Sequence, residues 1–291
     1  MQTFGARLRA AVAARGALCV GIDPHASLLR AWGLTDDPRG LAEFTRTVVS
    51  ALADRVAVLK PQMAFFERFG SRGLAVLEEA VAQARAAGAL VVLDGKRGDI
   101  PSTVAGYAEA YLTPSSPLRV DAVTAHPYLG VASLQPLFDA ARAHGGGVFV
   151  LCRTTNPEAG TVQHARTADG RSVAQHVVDE VARLNRGSAP DRPGAGETDG
   201  ELGSFGVVVG ATTDAGLDLS RLRGPVLAPG LGAQGATAAD LRRVFGDRLD
   251  AVLPSYSREV LRAGPDPAAL RAAADRALAA CEAVRASATA R

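Results

Sequence analysis

The sequence predicts an α/β protein built as a closed (β/α)8 TIM barrel, and four observations carry that prediction. Eight short apolar runs alternate with segments of helical period along the 291 residues. The runs are rich in valine and leucine with little polar alternation, as in strands buried on both faces of a parallel sheet. No glycine-rich dinucleotide fingerprint follows the first run, which disfavours an open doubly wound sheet. Polar residues gather at the C-terminal ends of the runs, where a barrel carries its chemistry.

The elements follow in order. The opening MQTFGARLRAAVAARG is helix-like and arginine-bearing, with no apolar signal core. ALCVGI (17–22) reads as the first strand, then a helix over about 38–54, then RVAVLK (55–60) as the second strand. RGLAVLEEAVAQARAAG places Leu74, Leu77, Val81 and Ala84 on one helical stripe, with Gly88 as the stop signal before ALVVLD (89–94). Helices over about 102–112 and 131–144 alternate with RVDAVTA (119–125) and GVFVLC (147–152). After a helix over about 172–186 comes GSAPDRPGAGETDGELG (187–203), a polar Gly/Pro-rich insertion between the fifth helix and sixth strand. It reads as a mobile surface loop and not a domain linker, because the strand count needs both sides of it; residues 1–291 are expected to form one domain. FGVVVGA (205–211), PVLAP (225–229), a helix over about 237–246, DAVLPS (250–255) and a helix over about 265–286 complete the barrel.

Composition narrows the function classes. Hydrophobic residues make up 47% and charged residues 21%, which excludes a disordered chain, and a net charge of +2 makes no electrostatic case for nucleic acid or an anionic membrane. No apolar stretch approaches the roughly 18 residues of a membrane span, so a cytoplasmic protein is expected. Cys19, Cys152 and Cys281 are odd in number, widely spaced and without metal-ligand pattern, and read as small buried hydrophobes.

The basic residues are unevenly divided: 30 arginines against two lysines, Lys60 and Lys96. Lysine differs from arginine as a compact point charge and as a group able to release a proton. Lys60 ends the second strand. Lys96 lies in LDGKRGDIPST (93–103), with Asp94 two residues before it and Asp99 three after. An alternating Asp/Lys array keeps its members charged. That disfavours a Schiff-base lysine, which must be neutral to attack a carbonyl, and a magnesium site, because two ammonium groups repel the cation. A charged lysine held by carboxylates is instead a proton donor and a stabiliser of a carbanion formed beside it.

The remaining polar residues fall at the other strand ends: Asp23 after the first, Thr124 and His126 at the fourth, Arg153, Thr154, Thr155 and Asn156 after the fifth. Gln234 lies in PGLGAQG after the seventh, and Ser257 and Arg258 follow the eighth. The last two loops suggest a phosphate site. Glycines 230, 232 and 235 allow close backbone approach, a helix opening near Thr237 is expected to add its positive end, and Arg258 supplies a fork for phosphate oxygens.

DGKRGDIPST with Lys60 on the preceding strand, GIDP at the first, LCRTTNP at the fifth, and PGLGAQG followed by SR together resemble the orotidine 5′-phosphate decarboxylase family, in particular its longer bacterial branch with FFERFG (65–70) and HPYLG (126–130). The resemblance spans about residues 17–262. It implies a metal-free, cofactor-free homodimer that converts orotidine 5′-phosphate to UMP at the end of pyrimidine nucleotide synthesis. It further implies that Asp94 faces the substrate carboxylate, that Lys96 protonates C6, and that Lys60 and Asp23 hold ribose hydroxyls. Thr155 would meet the pyrimidine, and Gln234 and Arg258 the phosphate. Asp99 and Thr103 would reach into the active site of the partner subunit.

The chemistry is compatible. Loss of carbon dioxide from C6 leaves an in-plane carbanion that the π system does not absorb, so protein charges must stabilise it. One ammonium about 4 Å away supplies roughly 4 kcal/mol at an effective dielectric near 20, so remote phosphate and ribose contacts must contribute as well. Two alternatives stand beside this reading. One is a magnesium-dependent sugar-phosphate decarboxylase or hexulose-phosphate synthase of the same superfamily, which Lys60 disfavours. The other is a catalytically silent barrel that binds a nucleotide monophosphate, which the complete Asp/Lys set disfavours.

Overall fold

Eight parallel strands close on themselves in chain order: β1 (Cys19–Ile22), β2 (Val58–Pro61), β3 (Leu90–Arg97), β4 (Ala122–Ala125), β5 (Gly147–Arg153), β6 (Phe205–Val209), β7 (Val226–Ala228) and β8 (Val252–Tyr256). The ring is sealed by β1 against β8, with Cys19 beside Ser255 and Val20 beside Tyr256. This is the barrel that the eight apolar runs predict. The computed structural model describes residues 1–186, 202–212 and 216–289. Most of the insertion at 187–203 therefore lies outside the described residues.

The helices are α1 (Phe4–Arg15), α2 (Ala26–Ala31), α3 (Pro38–Leu52), α4 (Ala64–Glu67), α5 (Gly70–Ala86), α6 (Pro101–Leu112), α7 (Gln135–His144), α8 (Gly160–Gln163), α9 (Val173–Arg186), α10 (Ala238–Phe245), α11 (Arg258–Leu261) and α12 (Pro267–Thr289). Local chemistry sets several of their ends. Asp37 caps α3 by accepting the Gly40 N–H at 2.8 Å, and Pro38 opens the first turn. Gly145 ends α7 in the left-handed region at φ 66°, where a residue without Cβ is least strained. The connection from β6 to β7 contains no helix among its described residues. Among the described residues no helix is long and apolar enough to cross a membrane.

Two apolar layers follow from strands with both faces covered. The outer layer packs Val20, Leu59, Val91, Val123, Val150, Val207 and their neighbours against the helices. The inner layer holds Val58, Val92, Phe149, Val208, Leu227 and Leu253, and Phe4 and Leu8 of α1 belong to it. α1 thus stoppers the N-terminal end of the barrel. Phe4 is fully buried and meets the Phe149 ring edge-on at 5.9 Å, a burial that contributes about 1.5–3 kcal/mol. Gly147 makes room for it, because a Cβ there would lie 2.3 Å from the Phe4 ring. The opposite end stays open.

Candidate active site

The open end holds a cavity of about 820 Å³. Its walls include Asp23 after β1, Lys60 on β2, Asp94 and Lys96 on β3, Thr155 after β5, Gln234 after β7 and Arg258 after β8. Seven of the nine site residues expected from sequence therefore converge on one cavity. The other two do not line it. Asp99 accepts the Ile100 N–H at 2.7 Å just before α6, and Thr103 is exposed in the first turn of that helix.

Asp94 is the hub, 8% exposed, and four donors surround its carboxylate. Oδ1 accepts from Lys96 Nζ at 2.7 Å and from the Thr124 hydroxyl at 2.9 Å. Oδ2 accepts from Lys60 Nζ and from Gln62 Nε2, both at 3.0 Å. That fills the roughly four acceptor positions of a carboxylate. Gln62 reaches Asp94 because β2 continues past Pro61 into a further bridge opposite it. Asp99 is not part of this array within its own chain.

The charges reinforce one another. Burial alone would push the Lys60 ammonium down, but the carboxylates of Asp94 and Asp23 override it and hold Lys60 well above its ordinary value. Burial alone would push Asp94 up, but Lys60 and Lys96, by charge and by hydrogen bond, hold it well below the usual carboxylate range. The site is a locked set of charges. The two lysines differ in access: the Lys60 side chain is 7% exposed and that of Lys96 44%. Lys96 also has φ +45°, the left-handed region that costs a non-glycine residue about 1–3 kcal/mol.

The rest of the cavity supplies polar and apolar surfaces. Buried Oδ1 of Asp23 has no hydrogen-bond partner among the described residues, and Gly21 leaves space there for Ser257, whose Oγ would sit 1.9 Å from an added Cβ. The Thr155 hydroxyl donates to Gln234 Oε1 at 3.1 Å, joining the loops after β5 and β7. Leu151, Val208 and Leu227 form an apolar floor. Among the described residues, the Arg258 guanidinium has no hydrogen-bond or ion-pair partner. His25, which packs on the Phe65 ring at 4.3 Å, also lines the wall; burial, with help from Arg258 and Arg68, keeps its imidazole below its ordinary pKa.

The helix near Thr237 was expected to turn its positive end to an anion, but α10 closes that end with its own capping box. Asp240 accepts both the Thr237 N–H and its hydroxyl at 2.8 Å, and neither residue lines the cavity. The N–H groups of Gly232 and Gly235 are likewise used inside the turn, bonding Ala236 O and Gly232 O at 2.8 Å. What remains on this part of the wall is the Arg258 guanidinium and the Gly230–Gln234 loop. Among the described residues, no three His, Cys, Asp or Glu side chains are grouped to hold a metal ion.

A model described as the orotidine 5′-phosphate decarboxylase / HUMPS family matches residues 16–273. The chain belongs to that family. Within it, the chain is 66% identical over 284 residues to orotidine 5′-phosphate decarboxylase of Salinispora arenicola, covering 97% of this chain and 98% of the relative. The corresponding Streptomyces coelicolor enzyme is 61% identical over 278 residues, covering 95% and 96%. A crystal structure of a Streptomyces avermitilis chain named for the same activity superposes with a TM-score of 0.91 at 58% identity, covering 98% and 97%.

Inside this family frame, Tyr256 at the end of β8 is a packing residue of the outer layer. It is 6% exposed and its hydroxyl faces Cys281 Sγ of α12 at 3.9 Å. The three free cysteines are all buried, and burial raises each thiol, Cys19 and Cys281 to about 11.

Proposed function

We propose that this barrel decarboxylates orotidine 5′-phosphate to UMP, the last step of pyrimidine nucleotide biosynthesis, without metal or cofactor. The observation that carries the reading is the four-donor Asp94 carboxylate between two lysines. A carboxylate so held is a fixed negative charge and a poor proton acceptor. The substrate carboxylate, placed against it, is relieved of repulsion only by leaving as carbon dioxide. The C6–carboxyl bond breaks with its electron pair left on C6, and Lys96 delivers the proton that forms the C6–H bond. Its amine then regains a proton from solvent. Lys60 and Asp23 hold the ribose hydroxyls, the free Asp23 Oδ1 serving as acceptor. Thr155 meets the pyrimidine, while Gln234 and Arg258 bind the phosphate. A divalent cation would be repelled by the ammonium groups that already neutralise Asp94.

Incubating the purified, exhaustively chelated protein with orotidine 5′-phosphate tests this. UMP and carbon dioxide are expected. No turnover would leave a binding barrel, and turnover only after magnesium is returned would move the protein to the sugar-phosphate branch.

The site is completed, in this reading, by a two-fold dimer in which Asp99 and Thr103 serve the partner's cavity. Support comes from their position outside their own cavity, beside exposed Ile100, with Tyr128 and Leu129 exposed on the next loop. Lys96→Ala and Asp99→Ala homodimers should each be nearly inactive. In a mixed dimer one site carries both defects and the other is intact, so exchanged mixtures should regain about a quarter of wild-type activity. No recovery despite demonstrated exchange would return Asp99 to its own chain.

A further inference from the structure

β3 and β4 pair Val92 with Ala122 and Leu93 with Val123, then resume at Arg97 with Ala125. Between those points Asp94, Gly95 and Lys96 face the single residue Thr124, so β3 is bulged there. A bulge leaves ladder groups without strand partners and re-aims the side chains it carries. Here it also holds Lys96 at φ +45°. Some group must satisfy the Lys96 N–H and keep that conformation in place.

Thr124 does so. Its hydroxyl, on a residue 1% exposed, accepts the Lys96 N–H at 3.0 Å and donates to Asp94 Oδ1 at 2.9 Å. A hydroxyl has one proton and two lone pairs, so giving the proton to Asp94 leaves a lone pair for the amide. The two bonds fix each other. One oxygen thereby ties the backbone of the residue bearing the ammonium to the carboxylate paired with that ammonium. We propose that Thr124 is a positioning residue for the decarboxylation, setting the distance and direction between Lys96 and Asp94 and acting through both. The inference rests on the proposed reaction, but the bond network can be read without turnover.

The test is the nearly isosteric Thr124→Val, beside Thr124→Ser, which keeps the hydroxyl. Wild-type turnover is measured first, and its absence would overturn the reaction itself. For Thr124→Val, kcat should fall about 10–100-fold, the scale of misplacing a reacting group by an ångström, while KM and UMP affinity stay close to wild type. Hydrogen exchange at the Lys96 amide should accelerate in the same variant. Thr124→Ser should restore both kcat and amide protection. Should the valine variant not fold, Thr124→Cys, of similar size but a weak donor and acceptor, is judged by the same criteria. Thr124 loses the role if Thr124→Val keeps wild-type kcat, or if serine fails to rescue. It also loses the role if kcat, UMP affinity and Tm fall together, which is the pattern of a purely structural residue.

Discussion

Two buried carboxylates mark the two ends of the barrel, and the cations around them differ. At the open mouth Asp94 is met by Lys60 and Lys96. At the stoppered end Asp121, 3% exposed, is met by arginines: Arg7 of α1 at 2.5 Å and Arg85 of α5 at 3.5 Å. Asp121 also accepts the Val91 N–H at 2.9 Å, and Arg7 uses its second amino group on Gly145 O at 2.7 Å. Arg85 likewise has a second contact, donating to Arg119 O at 3.5 Å, so each arginine fork ties its helix to the strand ends at two points, which a planar, permanently charged group does well. The mouth instead uses compact point charges, and in the proposed reaction Lys96 surrenders a proton. In a chain with 30 arginines and two lysines, both lysines stand at Asp94, the buried carboxylate of the cavity. In the proposed reaction, clamping and chemistry call for different cations.

The largest test of that contrast is Lys96 itself. Lys96→Ala should lower kcat by at least about 1,000-fold while UMP still binds, and Lys96→Arg should not recover it, because guanidinium retains its proton. Appreciable turnover by the arginine variant would erase the distinction between the two ends. Arg258→Ala should raise KM about 10–100-fold, the value of a lost charge-assisted contact, with a smaller fall in kcat. If orotidine without its phosphate reacted equally well with both proteins, Arg258 would not be the phosphate group.

Asp121→Asn should do the reverse. It should cost about 2–3 kcal/mol of stability, less than for a fully buried pair because both arginines are partly solvated, and leave kcat per folded molecule unchanged. A kinetic defect with unaltered Tm would contradict the division of labour. The smallest effect expected is that of pH on the Asp94 set. With Asp94 held below its ordinary value, its share of stability is present above the ordinary carboxylate pKa and lost only as pH falls through the lower, folded one. With Lys60 held above its ordinary value, its share is complete below the ordinary lysine pKa and lost as pH rises through the folded one. Neither group should therefore bend the pH profile of kcat between about pH 5 and 9, and a limb in that window removed by Asp94→Asn would show otherwise.

The strands were legible in the sequence because both their faces are apolar, and each of the eight runs contains or overlaps its strand. The long helices were legible from spacing, as Leu77, Val81 and Ala84 buried on α5 illustrate. The short helices α2, α4, α8 and α11 were not, since four to six residues show no period. The charged members of the site stood out by type and place. Gln62 did not, because its role depends on β2 running on past a proline to face Asp94. Thr124 was visible as a strand-end hydroxyl, but its two partners depend on a bulge between strands, which no single segment encodes. His25 and Phe65 were present in GIDPH and FFERFG, yet only the barrel brings those loops together. The capping box of α10 was readable from Thr237 and Asp240 three residues apart, and it would have removed that helix end from the phosphate site.

The scarcity of lysine has a practical side. The chain carries two side-chain amines, and both line the cavity, that of Lys60 nearly buried and that of Lys96 partly exposed. Isotope labelling of lysine alone therefore marks two side chains in 291 residues, and both lie in the cavity wall. Occupancy of the cavity becomes readable from two lysine signals, with no assay of turnover required.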